Sequence, residues 1–153
     1  YLFLILLSPM GKKRIVKQEG QRVNKSLKDR ALSRVPKKKL VSGLLHVQAT
    51  YNNTKVILTD KDGNVIMSSS SGALGFKGAK KGTPFAAAKI GEVLAEKAQM
   101  IGLKEVDIVV KGVGSGRESA IRAFIARGID ILSIKDKTPV PFNGPRPKKA
   151  RRV

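Results

Sequence analysis

Three stretches carry residue types suited to holding an anion. The first is Gly112-Val113-Gly114-Ser115-Gly116-Arg117, which follows an alternating apolar run and opens a helical one. Glycines let backbone N–H groups close on an anion, a helix N-terminus favours negative charge, and Arg117 adds a two-pronged phosphate donor. Three readings stay open for it. A dinucleotide turn would want an acid about twenty residues on, and Asp136 is so placed. The Gly-x-Gly-x-Gly spacing and the small number of strands argue against that. A purely structural tight turn and an RNA phosphate contact are the others. The second stretch, Gly75 to Lys81, sets Lys77, Lys80 and Lys81 on a glycine-rich, flexible backbone beside a helix start. It suits a phosphate, and equally a solvated lysine loop. Phe76, among those glycines, is a candidate anchor to the core. The third stretch is Lys137 to Val153, with four prolines, six Lys or Arg and no acid. Proline fixes φ and removes N–H donors, so this is an extended, pre-stiffened cationic arm. Little in its own chain matches it. A polyanion does, and best the backbone of a folded RNA.

Other chemistries find little support. With no Cys and one His, neither a disulfide framework, a zinc cluster nor a thiol nucleophile can form. His46 sits on an alternating strand and reads as an ordinary strand residue that contacts RNA or a neighbour. Metal-dependent nucleases need clustered carboxylates. The first strand, Leu44 to Tyr51, has none, and Asp60, Asp62, Asp107, Asp130 and Asp136 are scattered. Gly114-Ser115-Gly116 lacks the flanking spacing of a serine elbow. The expectation is a protein that is not an enzyme and that has no cofactor and no metal.

The 153 residues allow one domain of moderate core, with 31 basic and 11 acidic residues and a net charge of +20. Sixteen of those net charges lie in 10–42 and 137–153, and 43–136 is close to an ordinary globular surface. Two basic arms around a modest core is the layout of a nucleic-acid binder. Solubilising tails are the bland alternative, but solubility favours acids over bases. Tyr1 to Pro9 is apolar, too short to span a bilayer, and lacks a basic n-region. It reads as upstream translated sequence ahead of an initiator at Met10, with a fragment of a targeting sequence as the alternative. No other segment reads as transmembrane.

Positioning these stretches requires a mixed α/β fold. Residues 10–42 show no sustained periodicity and read as an arm ordered only by a partner. From Gly43, Leu45, Val47 and Ala49 alternate with polar residues as a strand. Tyr51-Asn52-Asn53-Thr54 is a turn, Lys55 to Thr59 a strand, Asp62-Gly63 a hairpin turn and Val65 to Ser69 a third strand. A helix starts at Thr83-Pro84, buries Ile90, Val93, Leu94, Ala98 and Ile101, and stops at Gly102. Val106, Ile108 and Val110 mark a fourth strand. A second helix carries Ile121, Phe124 and Ile125 up to Gly128, and Ile129 to Ile134 is a fifth strand. The fourth and fifth strands should be parallel, as in a βαβ unit. The predicted order is β-β-β-α-β-α-β: a mixed five-stranded sheet with two helices and basic N- and C-terminal arms.

Taken in order, five stretches of this sequence form a longer pattern. They are His46-Val47-Gln48-Ala49-Thr50-Tyr51-Asn52-Asn53-Thr54, Gly75-Phe76-Lys77-Gly78, Gly82-Thr83-Pro84-Phe85-Ala86-Ala87, Gly114-Ser115-Gly116-Arg117-Glu118-Ser119-Ala120, and Thr138-Pro139-Val140-Pro141 through Asn143-Gly144 to Arg151-Arg152-Val153. Together they closely resemble the universal small-subunit ribosomal protein number eleven family, in its bacterial or organellar form, over roughly 43–153. The resemblance implies a structural protein of the small ribosomal subunit, cytoplasmic or organellar. It implies binding of small-subunit rRNA in the platform, beside the mRNA cleft. It implies contact with the sixth, eighteenth and twenty-first small-subunit proteins, and none with a membrane. Carried onto this chain, the RNA contacts would be Asn52, Asn53, Thr54, Gly75, Lys77, Lys80, Lys81, Gly114, Ser115, Gly116, Arg117, Asn143, Arg146, Lys148, Lys149, Arg151 and Arg152. The family usually has Pro at Val113, His at Phe142 and Cys at Pro145, and Ala150 interrupts its basic ending, so the tail contacts differ in detail. A free-standing nucleic-acid chaperone or nucleoid protein would use the same charge.

Overall fold

A computed structural model describes residues 39–146, Lys148 and Lys149. The expected segment 1–9, most of the arm 10–42, and Arg151 and Arg152 lie outside the described residues. The elements are β1 (Ser42–Thr50), β2 (Asn53–Thr59), β3 (Val65–Ser70), α1 (Pro84–Ile101), β4 (Glu105–Lys111), α2 (Gly116–Ile125) and β5 (Asp130–Asp136), with a 3-10 turn at Gly78–Gly82 before α1. This is the expected order, within a residue or two at most boundaries. The packed chain reaches back past Gly43, however. Leu40 packs on the core, and the Val41 carbonyl accepts from the N–H groups of Lys104 and Glu105 at 2.9 and 3.2 Å.

The five strands pair in the order β3-β2-β1-β4-β5. β1–β2 and β2–β3 are antiparallel, while β1–β4 and β4–β5 are parallel. Alternation decides the faces, because successive side chains on a strand point to opposite sides. Leu45, Val47, Val56, Leu58, Val106 and Ile108 join α1 and α2 in one core, with Ile90, Leu94 and Phe124 among its fully buried side chains. Burying each such aliphatic or aromatic side chain contributes about 1.5–3 kcal/mol. The helices therefore cover one side of the sheet.

Helix α1 begins and ends as its sequence dictates. The Thr83 hydroxyl accepts from the Ala86 N–H at 3.3 Å, Pro84 occupies the first turn where no donor is needed, and Gly102 closes the helix at φ 90°. All five residues of the expected stripe are buried. Helix α2 ends at Ile125, three residues short of Gly128, whose N–H returns to the Ile125 carbonyl at 2.8 Å.

Candidate nucleic-acid interface

The topology brings the anion-binding stretches to one end of the sheet. β1, β4 and β5 finish there, β3 finishes there, and β2 starts there. So the β1–β2 turn, the lysine loop, the glycine turn and the start of the C-terminal arm share that end. Both helices begin there as well, since the Ser115 hydroxyl donates to the Gly82 carbonyl at 3.0 Å and joins their first turns. Two helix N-termini add partial positive charge to the same patch.

The two ends differ in charge balance. The loop end carries Lys77, Lys80 and Lys81, with Lys55, Lys111 and Lys137 at strand ends and Arg146, Lys148 and Lys149 on the arm. The acids Asp60, Asp62, Glu105 and Asp130 lie at the opposite end, in the β2–β3 turn or at the starts of β4 and β5, with Lys61 and Lys104 among them. At the loop end, Asp136 is engaged by Arg117 and Thr138 and Glu118 pairs with Arg122.

The lysine loop is more built than the flexible segment expected. Leu74 is buried, and Phe76 packs against the core and edge-on to Phe85, with ring centroids 6.1 Å apart. Gly78–Gly82 forms the 3-10 turn, and the Thr83 hydroxyl donates to the Lys80 carbonyl at 2.8 Å. Lys77 and Lys80 are exposed and Lys81 is half-buried, so a fixed backbone presents the ammonium groups. Phe76 is the anchor that its setting among glycines suggests.

The glycine turn is occupied by its own chain. A Cβ on Gly112 would lie 2.1 Å from the Ala49 carbonyl oxygen, and one on Gly114 would lie 2.4 Å from that of Thr50. The Gly114 N–H donates to the Ala49 carbonyl at 3.0 Å, and the Gly112 N–H to the Thr138 hydroxyl at 3.1 Å. These glycines let the turn lie on the end of β1. Arg117, half-buried, is also engaged by its own chain. One guanidinium nitrogen donates to the Gly112 carbonyl at 2.9 Å and another pairs with the Asp136 carboxylate. The residue that a dinucleotide reading would assign to a ribose is thus Arg117's partner, and the guanidinium expected on a phosphate is engaged by its own chain at the surface.

Asp136 also accepts from the Thr138 N–H and hydroxyl at 2.8 and 2.6 Å. Those bonds, with Arg117 behind them, hold its carboxyl down to about 2 from an ordinary 3.8. The arm thus leaves the sheet from a fastened root, since Lys137 N–H also donates to the Val110 carbonyl at 2.9 Å. Beyond Thr138 the described arm is exposed. Phe142 is 94% exposed, and Asn143 adopts a left-handed backbone at φ 50°.

The other expected contacts divide by burial. Asn52 is exposed at the turn, while Asn53 is half-buried and its side-chain oxygen accepts from the Ser71 hydroxyl at 2.6 Å. Thr54 is fully buried, with a hydroxyl that has no hydrogen-bond partner and lies against Gly116. Its side chain packs inward. Gly114 and Gly116 are buried and Gly75 half-buried, whereas Ser115 is exposed and Arg146, Lys148 and Lys149 lie on the surface.

The sequence reading did not include Lys55 or Lys111. They flank Gln48 on either side of β1, a neighbourhood that exists only once the strand order is known. Tyr51 and Phe85, 80% and 62% exposed, also join the patch, and Lys89 lies 5.8 Å from the Phe85 ring centroid. Aromatic residues among lysines were the available signal. Among the described residues no cluster of His, Cys, Asp and Glu is able to hold a metal ion, and no helix is long and apolar enough to cross a membrane.

A family model described as ribosomal protein S11 matches residues 43–152. The chain belongs to that family and is accordingly a protein of the small ribosomal subunit.

Proposed function

We propose that this protein is a structural, non-catalytic component of the small subunit that binds small-subunit rRNA through the loop end of its sheet and its C-terminal arm. The carrying observation is the excess of positive charge at the loop end. Lys77, Lys80, Lys81, Lys111 and Lys137 gather there with two helix N-termini, while Asp60, Asp62, Glu105 and Asp130 lie at the other end among Lys61 and Lys104. Phosphate contacts of this kind supply affinity and orientation without reading sequence. Lys77, Lys80, Lys81, Arg146, Lys148 and Lys149 are the leading phosphate ligands, with Asn52 beside them and Arg151 and Arg152 extending the arm. Gly112, Gly114 and Arg117 shape the surface and set the arm's exit. In this reading 43–136 is the RNA-binding domain and 10–42 and 137–153 are cationic extensions. Family membership supports a place in the platform near the mRNA path, beside the sixth, eighteenth and twenty-first small-subunit proteins.

Sedimentation tests this reading. Tagged protein expressed in cells should migrate with small subunits through a sucrose gradient at moderate salt. Replacing Lys77, Lys80 and Lys81 together with Ala should shift it towards the top while leaving the free protein folded. Migration with bulk DNA, or no loss from the triple variant, would favour a free-standing nucleic-acid chaperone or nucleoid protein.

A further inference from the structure

Among the described residues no element covers the side of the sheet away from the helices, and it is not an ordinary solvent face. Cross-strand register sets out its rows. Ser68, Ile57, His46, Val109 and Lys135 form one, and Ser70, Lys55, Gln48 and Lys111 form the next, nearer the loop end. Thr59, Leu44, Asp107 and Ser133 form the row on the other side. Lys55, Lys111 and Lys135 are exposed around a half-buried floor of His46 and Ile57, and Lys137 follows β5 at the same margin. Asp107, the acid of these rows, accepts from the Ser133 hydroxyl at 2.6 Å.

We propose that this bare sheet face is a second RNA-binding surface, on which Lys55, Lys111 and Lys135 hold phosphates over a floor of Gln48, His46 and Ile57. The inference rests on the reading of the protein as an rRNA binder and adds a surface at right angles to the loop end. Val109 and Leu44 lie beside Ile57 in these rows, so the rim and not the floor favours RNA over a protein neighbour. The rim is cationic, and it continues through Lys111 and Lys137 into the loop-end patch, so one strand could cross from one surface to the other.

His46 reports on this face. It is the only histidine in the chain, and its Nε2 lies 3.3 Å from the Thr59 hydroxyl. Burial, then Lys111, then Lys137 lower its pKa from the ordinary 6.5. The polar groups around it on this face are those lysines and Thr59, with Lys135 in its own row and Lys55 and Asp107 in the rows on either side. Phosphates seated on Lys111 and Lys137 would offset their field, so the titration midpoint would rise.

The test uses the full chain and an oligouridylate of about ten nucleotides, within the span of small single-strand sites. NMR should show the His46 ring signals moving on binding and titrating at higher pH than in the free protein. In the Lys55→Ala, Lys111→Ala double variant that movement should vanish, and the dependence of log affinity on log salt should flatten by about 1.4, for two phosphates at about 0.7 each. Circular dichroism checks the fold, and Lys55→Gln with Lys111→Gln replaces the pair if Ala disturbs it. If RNA binds with steep salt dependence while His46 and the slope stay unchanged, the sheet face is not an RNA surface. The loop-end reading then survives and a protein occupant becomes the better assignment. Absence of RNA binding by the intact chain would overturn both.

Discussion

Gly112 and Gly63 share a left-handed backbone, at φ 97° and 89°, but not their surroundings. A Cβ on Gly63 meets nothing within 4 Å, whereas one on Gly112 would lie 2.1 Å from the Ala49 carbonyl oxygen and 3.0 Å from its carbon. Gly63→Ala therefore carries only the left-handed penalty, about 1–2 kcal/mol. Gly112→Ala carries that and an overlap close to 1 Å with backbone that a side-chain rotation cannot relieve. Overpacking of this kind adds about 1–3 kcal/mol, for a total of about 2–5 kcal/mol. Small domains are stable by about 5–15 kcal/mol, so both variants should fold and differ measurably. Urea denaturation of the full chain, followed by far-ultraviolet circular dichroism, should give Gly112→Ala the lower midpoint with an unchanged slope. RNA affinity of the two folded variants should be similar, because the clash lies inside the protein. Equal stability losses would refute the close approach of the turn to β1. A selective loss of RNA binding in Gly112→Ala would return the turn to the role of a phosphate cradle.

Arg117→Ala and Asp136→Asn should each lower the melting temperature, and the double variant should lose less than the sum. Additive losses would mean the pair is not coupled. The same link sets an acid limit: because Asp136 titrates near 2 in the fold, its stabilisation is complete above about 3.8 and disappears as pH falls towards 2. Acid titration of Asp136→Asn should lack that component, and an identical profile would refute it. Truncation after Thr138 keeps the fastened root and removes five basic residues, so it should flatten the salt dependence of RNA binding by about 3.5 at 0.7 per phosphate. A filter-binding series over salt would show it, and an unchanged slope would place the arm off the RNA. Thr54→Val removes a buried hydroxyl without a partner and should leave stability unchanged or raised, with RNA binding intact. Calorimetry and the same binding series would expose a hidden role for the hydroxyl as a loss in either.

Local chemistry was legible from the sequence wherever one segment settles its own conformation. Alternation at Leu45, Val47 and Ala49 declared a strand, and Thr83-Pro84 and Gly102 bounded a helix, because caps and periodicity act within a few residues. The clustering of charge at 137–153 and the long motifs spread through 43–153 were enough to indicate the class of partner and the family. Which side chains remain available for that partner was decided by tertiary structure. The end of β5 brings Asp136 to Arg117, and Gly116 closes over Thr54, a residue of the expected turn; neither contact is written in the local sequence. Lys55 and Lys111 became neighbours only when β1 was inserted between β2 and β4. Sequence patterns report a residue's own backbone preference and the face it occupies. They do not report the strand order that brings distant residues together, and so they do not report the hydrogen bonds that such residues make with one another.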